Sequence, residues 1–169
     1  MNRRARELYG RARQTGKIYA PGEYAVITSA GWLEAPDYVA EALGLVKNRQ
    51  AVHRRRVTNN EDGPITLSTS WFAPDIGQRA PKLTDPGRIQ EGTLTYVERM
   101  TGRQGSYAED RVCARSATEE EAVDLGLDPE SAVLVVHHVV FDLQNRPLEF
   151  AEATYPPSRW AFEQGYPIT

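Results

Sequence analysis

Cysteine is almost absent: Cys113 is the only one in 169 residues. One cysteine excludes an intramolecular disulfide and argues against a cysteine-built metal site, so a cytoplasmic setting is the default expectation. Long apolar runs are also missing, and no stretch approaches the roughly 20 residues of a membrane span. Met1–Arg13 is too basic and polar to read as a signal peptide. Charge of one sign does not dominate. The formal net charge is −3 and 40% of residues are hydrophobic, as in an ordinary soluble protein large enough for a real core. Three further absences bear on catalysis: a nucleophile elbow, a phosphate-cradling glycine-rich loop and a Cys-His pair.

What is present is organised around Ser131–Tyr155. Ala132–Phe141 is rich in β-branched and aromatic residues without Gly or Pro, and reads as a buried strand. Asp142–Arg146 is a polar turn, and Pro147 opens a returning strand, Leu148–Tyr155. Alternation places Leu148, Phe150 and Glu152 on one face, with Glu149, Ala151, Ala153 and Tyr155 on the other. A helix precedes this hairpin. Thr118 and Glu121 form a capping box at its start, and Gly126 within Leu125-Gly126-Leu127 stops it.

The same order occurs earlier. A helix over Ala35–Leu45 opens at Pro36 and stops at Gly44, inside a second Leu-Gly-Leu. A strand Ala51–Thr58, a polar loop Asn59–Gly63 and a strand Ile65–Phe72 opened by Pro64 follow. The triplets are offset by 82 positions and the prolines by 83, counted from their numbers. A pseudo-duplicated fold would give this offset; so would chance recurrence of a common helix-hairpin grammar.

Between these units, Ile18–Ile27 reads as a short strand and Thr28-Ser29-Ala30-Gly31 as a small-residue loop. Ala73–Arg88, with three prolines, reads as the longest irregular segment, a lid or a crossover between halves. A helix with Leu94, Val97 and Met100 on one side then ends at Gly102. Thr93 and Thr95 sit at its start, where free amides favour an anion. Ser106–Arg115 reads as a strand.

The strongest charge feature is His53-Arg54-Arg55-Arg56. Alternation sends Arg54 and Arg56 to one face, where two guanidiniums can fork onto one phosphate or carboxylate, or else form an exposed basic edge. Thr66, Ser68, Ser70 and Phe72 line one face of the next strand. His137 and His138 point to opposite faces and read as packed or hydrogen-bonded rather than metal ligands. Glu149 and Glu152 cannot work as one acid/base pair, whereas Glu149 shares its face with Tyr155. Six basic residues within Arg3–Lys17 read as a solvated linker rather than an arm on nucleic acid, because nothing motif-like interleaves with them.

Thr15–Leu45, His53–Ile76 and Glu119–Tyr155 together resemble the UTRA domain, the effector-binding half of GntR-type transcription regulators of the HutC subfamily. Its most specific marks here are the helix ending in Leu-Gly-Leu, the arginine-rich strand before Gly63-Pro64, and Arg146-Pro147-Leu148-Glu149 with Tyr155 six residues on. The resemblance runs from about Gly16 to about Pro167. It implies an α+β, chorismate-lyase-like fold: a mainly antiparallel sheet with packed helices, forming a homodimer.

It also implies a small-molecule effector site, with an anionic or phosphorylated metabolite among the options, and neither a cofactor nor a metal. Carried over residue by residue, the roles fall on Arg54, Arg56, Thr28, Ser29, Thr93, Glu149 and Tyr155. The hydroxyl face adds Ser68 and Ser70; Ser68 stands where several members carry an acid. Loops at Thr28–Ala30 and Gly92–Thr95 are the expected closing elements. Residues 1–16 are expected to be an interdomain linker and 17–169 the ligand-binding domain. DNA contact would come only through a winged-helix module outside this sequence. A stand-alone sensor, or an enzyme of the chorismate-lyase type, is the alternative.

Overall fold

The computed structural model describes residues 19–46, 49–161 and 167–168. The basic arm Arg3–Lys17 and the expected domain boundary lie outside the described residues. In chain order the elements are β1 (Tyr24–Glu34), α1 (Asp37–Leu43), β2 (Gln50–Asn60), β3 (Gly63–Phe72), α2 (Pro74–Arg79), a 3-10 turn (Pro81–Thr84), α3 (Thr93–Thr101), β4 (Gly105–Ser116), α4 (Glu119–Leu125), β5 (Ala132–Asp142) and β6 (Pro147–Tyr155). The strands form one antiparallel sheet in the order β1-β2-β3-β6-β5-β4. This is the α+β, chorismate-lyase-like architecture expected from the sequence.

The sheet is a strand-helix-hairpin unit used twice, joined where β3 pairs with β6 and Thr69 faces Glu152. Both short helices end in the same way. Gly44 (φ 68°) and Gly126 (φ 64°) take the left-handed conformation that a side chain disfavours. The next residue then bonds back across the turn, Leu45 N to Ala40 O and Leu127 N to Ala122 O, both at 2.8 Å. Each helix packs mainly on the inner strand of the other unit, α1 on β6 and α4 on β3. Val39, Ala40 and Leu43 of α1 bury against Ala51, Trp71 and Phe150, and Leu125 of α4 against Val57 and Leu67.

The opposite face is only partly covered. The crossover between the units, with α2, the 3-10 turn and α3, puts Ile76, Leu83, Leu94 and Val97 onto Val52, Phe72, Val140 and Leu148. Burying each such side chain stabilises by about 1.5–3 kcal/mol. The other end of this face is left open. Among the described residues no helix is long and apolar enough to cross a membrane.

Three expectations change. Ala73–Arg88 is not irregular: Pro74 and Pro81 each open a short helical turn, because a fixed φ and a missing N–H suit a helix start. Thr28–Gly31 is not a loop but the middle of β1, with Thr28 the extra residue of a bulge between the Ile27↔Arg56 and Ser29↔Arg55 pairs. Leu148 does not share a face with Phe150. It is the extra residue between the Val140↔Glu149 and Phe141↔Pro147 pairs, and it packs with Val52 and Val140 instead. Proline cannot donate to the ladder, so a bulge directly after Pro147 is the natural accommodation. Ile65 is the extra residue after Pro64 in the same way, with Thr58↔Thr66 on one side and Asn59↔Pro64 on the other.

Candidate functional site

Four small side chains make a depression in the open part of the sheet. Ser68 pairs with Ala153 and Ser70 with Ala151 across the central β3–β6 seam. Strands lie roughly 4.8 Å apart and alternate residues roughly 6.8 Å, so this floor is flanked by long side chains from the outer strands. Arg54 and Arg56 stand on the β2 side, Val136 and His138 on the β5 side, and Glu149 and Tyr155 at its two ends. Gly92, Thr93 and Thr95 at the start of α3, with Arg88, Ile89 and Glu91 before it, complete a cavity of about 170 Å³.

Of the sequence-derived site residues, Arg54, Arg56, Ser68, Thr93, Glu149 and Tyr155 line this cavity. Ser70 lies fully buried beneath it and accepts a 3.1 Å hydrogen bond from Arg56 Nη1. Thr28 and Ser29 do not belong to it. The Thr28 bulge changes the alternation, so Ser29 faces the other side of the sheet, where its Oγ meets His53 Nε2 at 2.7 Å.

The two arginines are not a pair in function. Arg54 is buried, and its Nη1 donates to the carbonyls of Lys82 and Leu83 at 3.0 Å each and to that of Asp85. Its Nη2 donates to Gly87 O at 3.0 Å. The guanidinium is thus a tether for the crossover, because carbonyls at the ends of short turns lack partners of their own. Burial, followed by the neighbouring Arg56 charge, lowers its pKa. Arg56 keeps donors toward the cavity. Among the described residues no carboxylate lies within ion-pair distance of it.

Glu149 is buried on the cavity side, on the face that regular alternation gives it with Ala151, Ala153 and Tyr155. His138 Nδ1 meets Asp110 Oδ1 at 2.7 Å, and both residues line the cavity. That pair was not legible as part of a site, although His138 does share a face with Val136 opposite the small floor. Arg88 sits 5.8 Å from the centre of the Tyr19 ring, and Glu91 pairs with Arg99 at 2.6 Å. Both come from the crossover, whose path no periodicity predicts.

The opposite face carries separate polar groups. Glu152 bonds His137 Nε2 at 2.7 Å, and Tyr38 stacks on that ring with centroids 5.2 Å apart. Burial, then the Glu152 carboxylate, pushes the Tyr38 hydroxyl up to about 12. His53 Nδ1 meets Gly31 O at 3.0 Å, and burial lowers its pKa. Glu121 accepts from Arg115, from the Thr118 N–H and from the Thr154 hydroxyl. Burial raises its carboxyl pKa, but these bonds outweigh it and leave the value at about 2. Among the described residues no cluster of three or more His, Cys, Asp or Glu could hold a metal.

The HTH-type transcriptional regulator Rv0792c of Mycobacterium tuberculosis is 30% identical over 135 residues, 80% of this chain and 49% of that protein. A second curated relative, an HTH-type transcriptional regulator SCO4628 of Streptomyces coelicolor, is 24% identical over 156 residues, 91% of this chain and 57% of its own length. The chain therefore spans about half the length of the curated relatives it matches. In fold it is similar to the effector domain of PhnF from Mycobacterium smegmatis, with a TM-score of 0.71 at 21% identity over 88% of this chain and 90% of that one. A GntR-family regulator from Enterococcus faecalis gives 0.72 at 18% identity, over 85% and 100%. The UTRA domain matches residues 25–161, which among the described residues take in the whole sheet but the first residue of β1, and every helix: the chain belongs to the UTRA domain family.

Proposed function

We propose that this chain is the small-molecule-sensing part of a GntR-type transcription regulator of the HutC subfamily. Occupancy of the cavity alters operator binding by an attached winged-helix module. The observation that carries the reading is the cavity itself, a depression of small residues walled by charged groups and closed on one side by the tethered crossover. Support comes from the relatives, which are named as HTH-type regulators, and from PhnF, whose matching part is an effector domain. A ligand that prefers one arrangement of the wall at Gly92–Thr95 shifts the population toward it. The working unit is a two-fold homodimer in the cytoplasm, because β1 and β4 leave open edges and two-fold operators need two-fold readers. Light scattering at tens of micromolar should give the dimer mass.

The test is a thermal-shift screen of a metabolite library against the wild type and against Ala151→Trp, which fills the floor. A ligand at a hundred times its Kd adds about 2.7 kcal/mol, so binders should be plain in the wild type and lost in the variant. A screen without binders, or binders indifferent to Ala151→Trp, would overturn the reading.

A further inference from the structure

We infer that the cavity is built for an amphoteric ligand, one cationic and one singly anionic group joined by a short apolar body. This rests on the sensing reading above and names the ligand class.

The charges of the lining residues lead to it. Three carboxylates and three guanidiniums border the cavity: Glu91, Asp110 and Glu149 against Arg54, Arg56 and Arg88. Most are already engaged within the protein. Glu91 pairs with Arg99, Asp110 with His138, and Arg54 with the crossover carbonyls. Glu149 is the exception among the carboxylates. It is 3% exposed, borders the cavity, and its side chain has no hydrogen bond or ion pair among the described residues. A buried carboxylate is costly unless a cation or donor meets it. Among the described residues no protein donor meets its oxygens, which open onto the cavity, so a cationic partner there would come from the ligand.

Arg56 supplies the opposite pole. Its guanidinium leans over β3 to Ser70, while Glu149 stands on the neighbouring strand, one alternate-residue step further along. One strand spacing and one such step place the Cα atoms of Ser70 and Glu149 roughly 8 Å apart. Ala151, Val136, Ile89 and Leu94 give the cavity an apolar part that suits methylene groups, beside the hydroxyls of Ser68, Thr93 and Thr95. A phosphate monoester fits less well. Arg54 has given its Nη donors to carbonyls, so a dianion would meet Arg56, with Arg88 on the crossover side, and would also face the Glu149 carboxylate.

The test uses the purified chain and four probes: 6-aminohexanoate, hexanoate, hexylamine and glucose 6-phosphate. By titration calorimetry, 6-aminohexanoate should bind at least about tenfold more tightly than hexanoate or hexylamine, as expected for one added charge-assisted hydrogen bond. Glucose 6-phosphate should bind more weakly than 6-aminohexanoate. Glu149→Gln should cut the preference for 6-aminohexanoate over hexanoate to less than about threefold, and Arg56→Met should remove hexanoate binding while sparing hexylamine.

Tighter binding of glucose 6-phosphate, or of either single-charge probe, overturns the amphoteric assignment and leaves small-molecule sensing intact. Silence from all four probes also overturns it, and the library screen with Ala151→Trp then judges the sensing reading separately. A preference that survives Glu149→Gln overturns the role given to Glu149.

Discussion

The two units, Tyr24–Phe72 and Gly105–Tyr155, share a backbone plan and differ in chemistry. Ser68 and Ser70 of the first correspond to Ala151 and Ala153 of the second, so the pseudo-symmetry itself produces a floor of small residues. The walls break it. Arg54 and Arg56 on β2 correspond by the 82-residue offset to Val136 and His138 on β5. One wall is therefore cationic, the other mostly apolar, and Glu149 adds a carboxylate where the first unit has Thr66. The lesson is that a repeated scaffold supplies the hollow, and departures from the repeat supply what the hollow recognises.

The units also differ in how they are held together, and the largest expected effect tests that. Arg54→Ala removes bonds to four crossover carbonyls and should cost about 3 kcal/mol in urea unfolding, at the upper end for hydrogen bonds to a charged group. Its counterpart Val136→Ala deletes two methyl groups and should cost about 1–2 kcal/mol. Equal losses would mean that the crossover is held by its apolar side chains alone.

The hairpin turns give the next contrast. Asp142 accepts from the N–H groups of Gln144 and Arg146 and from the Nε atoms of Arg103 and Arg146. Burial raises its carboxyl pKa, but this network outweighs it and holds the value far below the usual carboxylate range. Its counterpart Asn60 accepts from Asp62 N at 3.0 Å. Asp142→Ala should cost about 2–3 kcal/mol and Asn60→Ala less than about 1 kcal/mol. Reversal of that order in equilibrium unfolding would show that the first turn is the stronger clamp.

The smallest effects lie in the pH dependence. Glu121, in the second unit, ionises near 2 when folded against a usual 4.5. The unfolded chain takes up the proton first, so this contribution is full above about 4.5 and is lost as pH falls toward about 2. His53, in the first unit, has a folded pKa below 6.5. The unfolded chain again protonates first, and stability declines as pH falls below about 6.5. Glu121→Gln should flatten the acid limb between about 4.5 and 2, and His53→Gln the limb just below 6.5, in urea midpoints measured across pH. A curve unchanged by either substitution removes that group from the balance.

The sequence by itself determined the local grammar. The Thr118 capping box, the glycine stops at Gly44 and Gly126, the two hairpins and their 82- to 83-residue spacing all rest on neighbours in the chain, and the structure contains each of them. Faces followed from alternation wherever the ladder stayed regular, which is why Arg56, Ser68, Glu149 and Tyr155 arrive in one cavity. Only the tertiary structure decided the rest. The bulges at Thr28 and Leu148 change the alternation at single residues, removing Ser29 from the cavity and returning Leu148 to its side. Arg54 became a tether because a crossover nearly thirty residues away offers carbonyls that its own turns cannot satisfy. Pairings such as His138 with Asp110 arise from strand order across the sheet, which local periodicity does not encode.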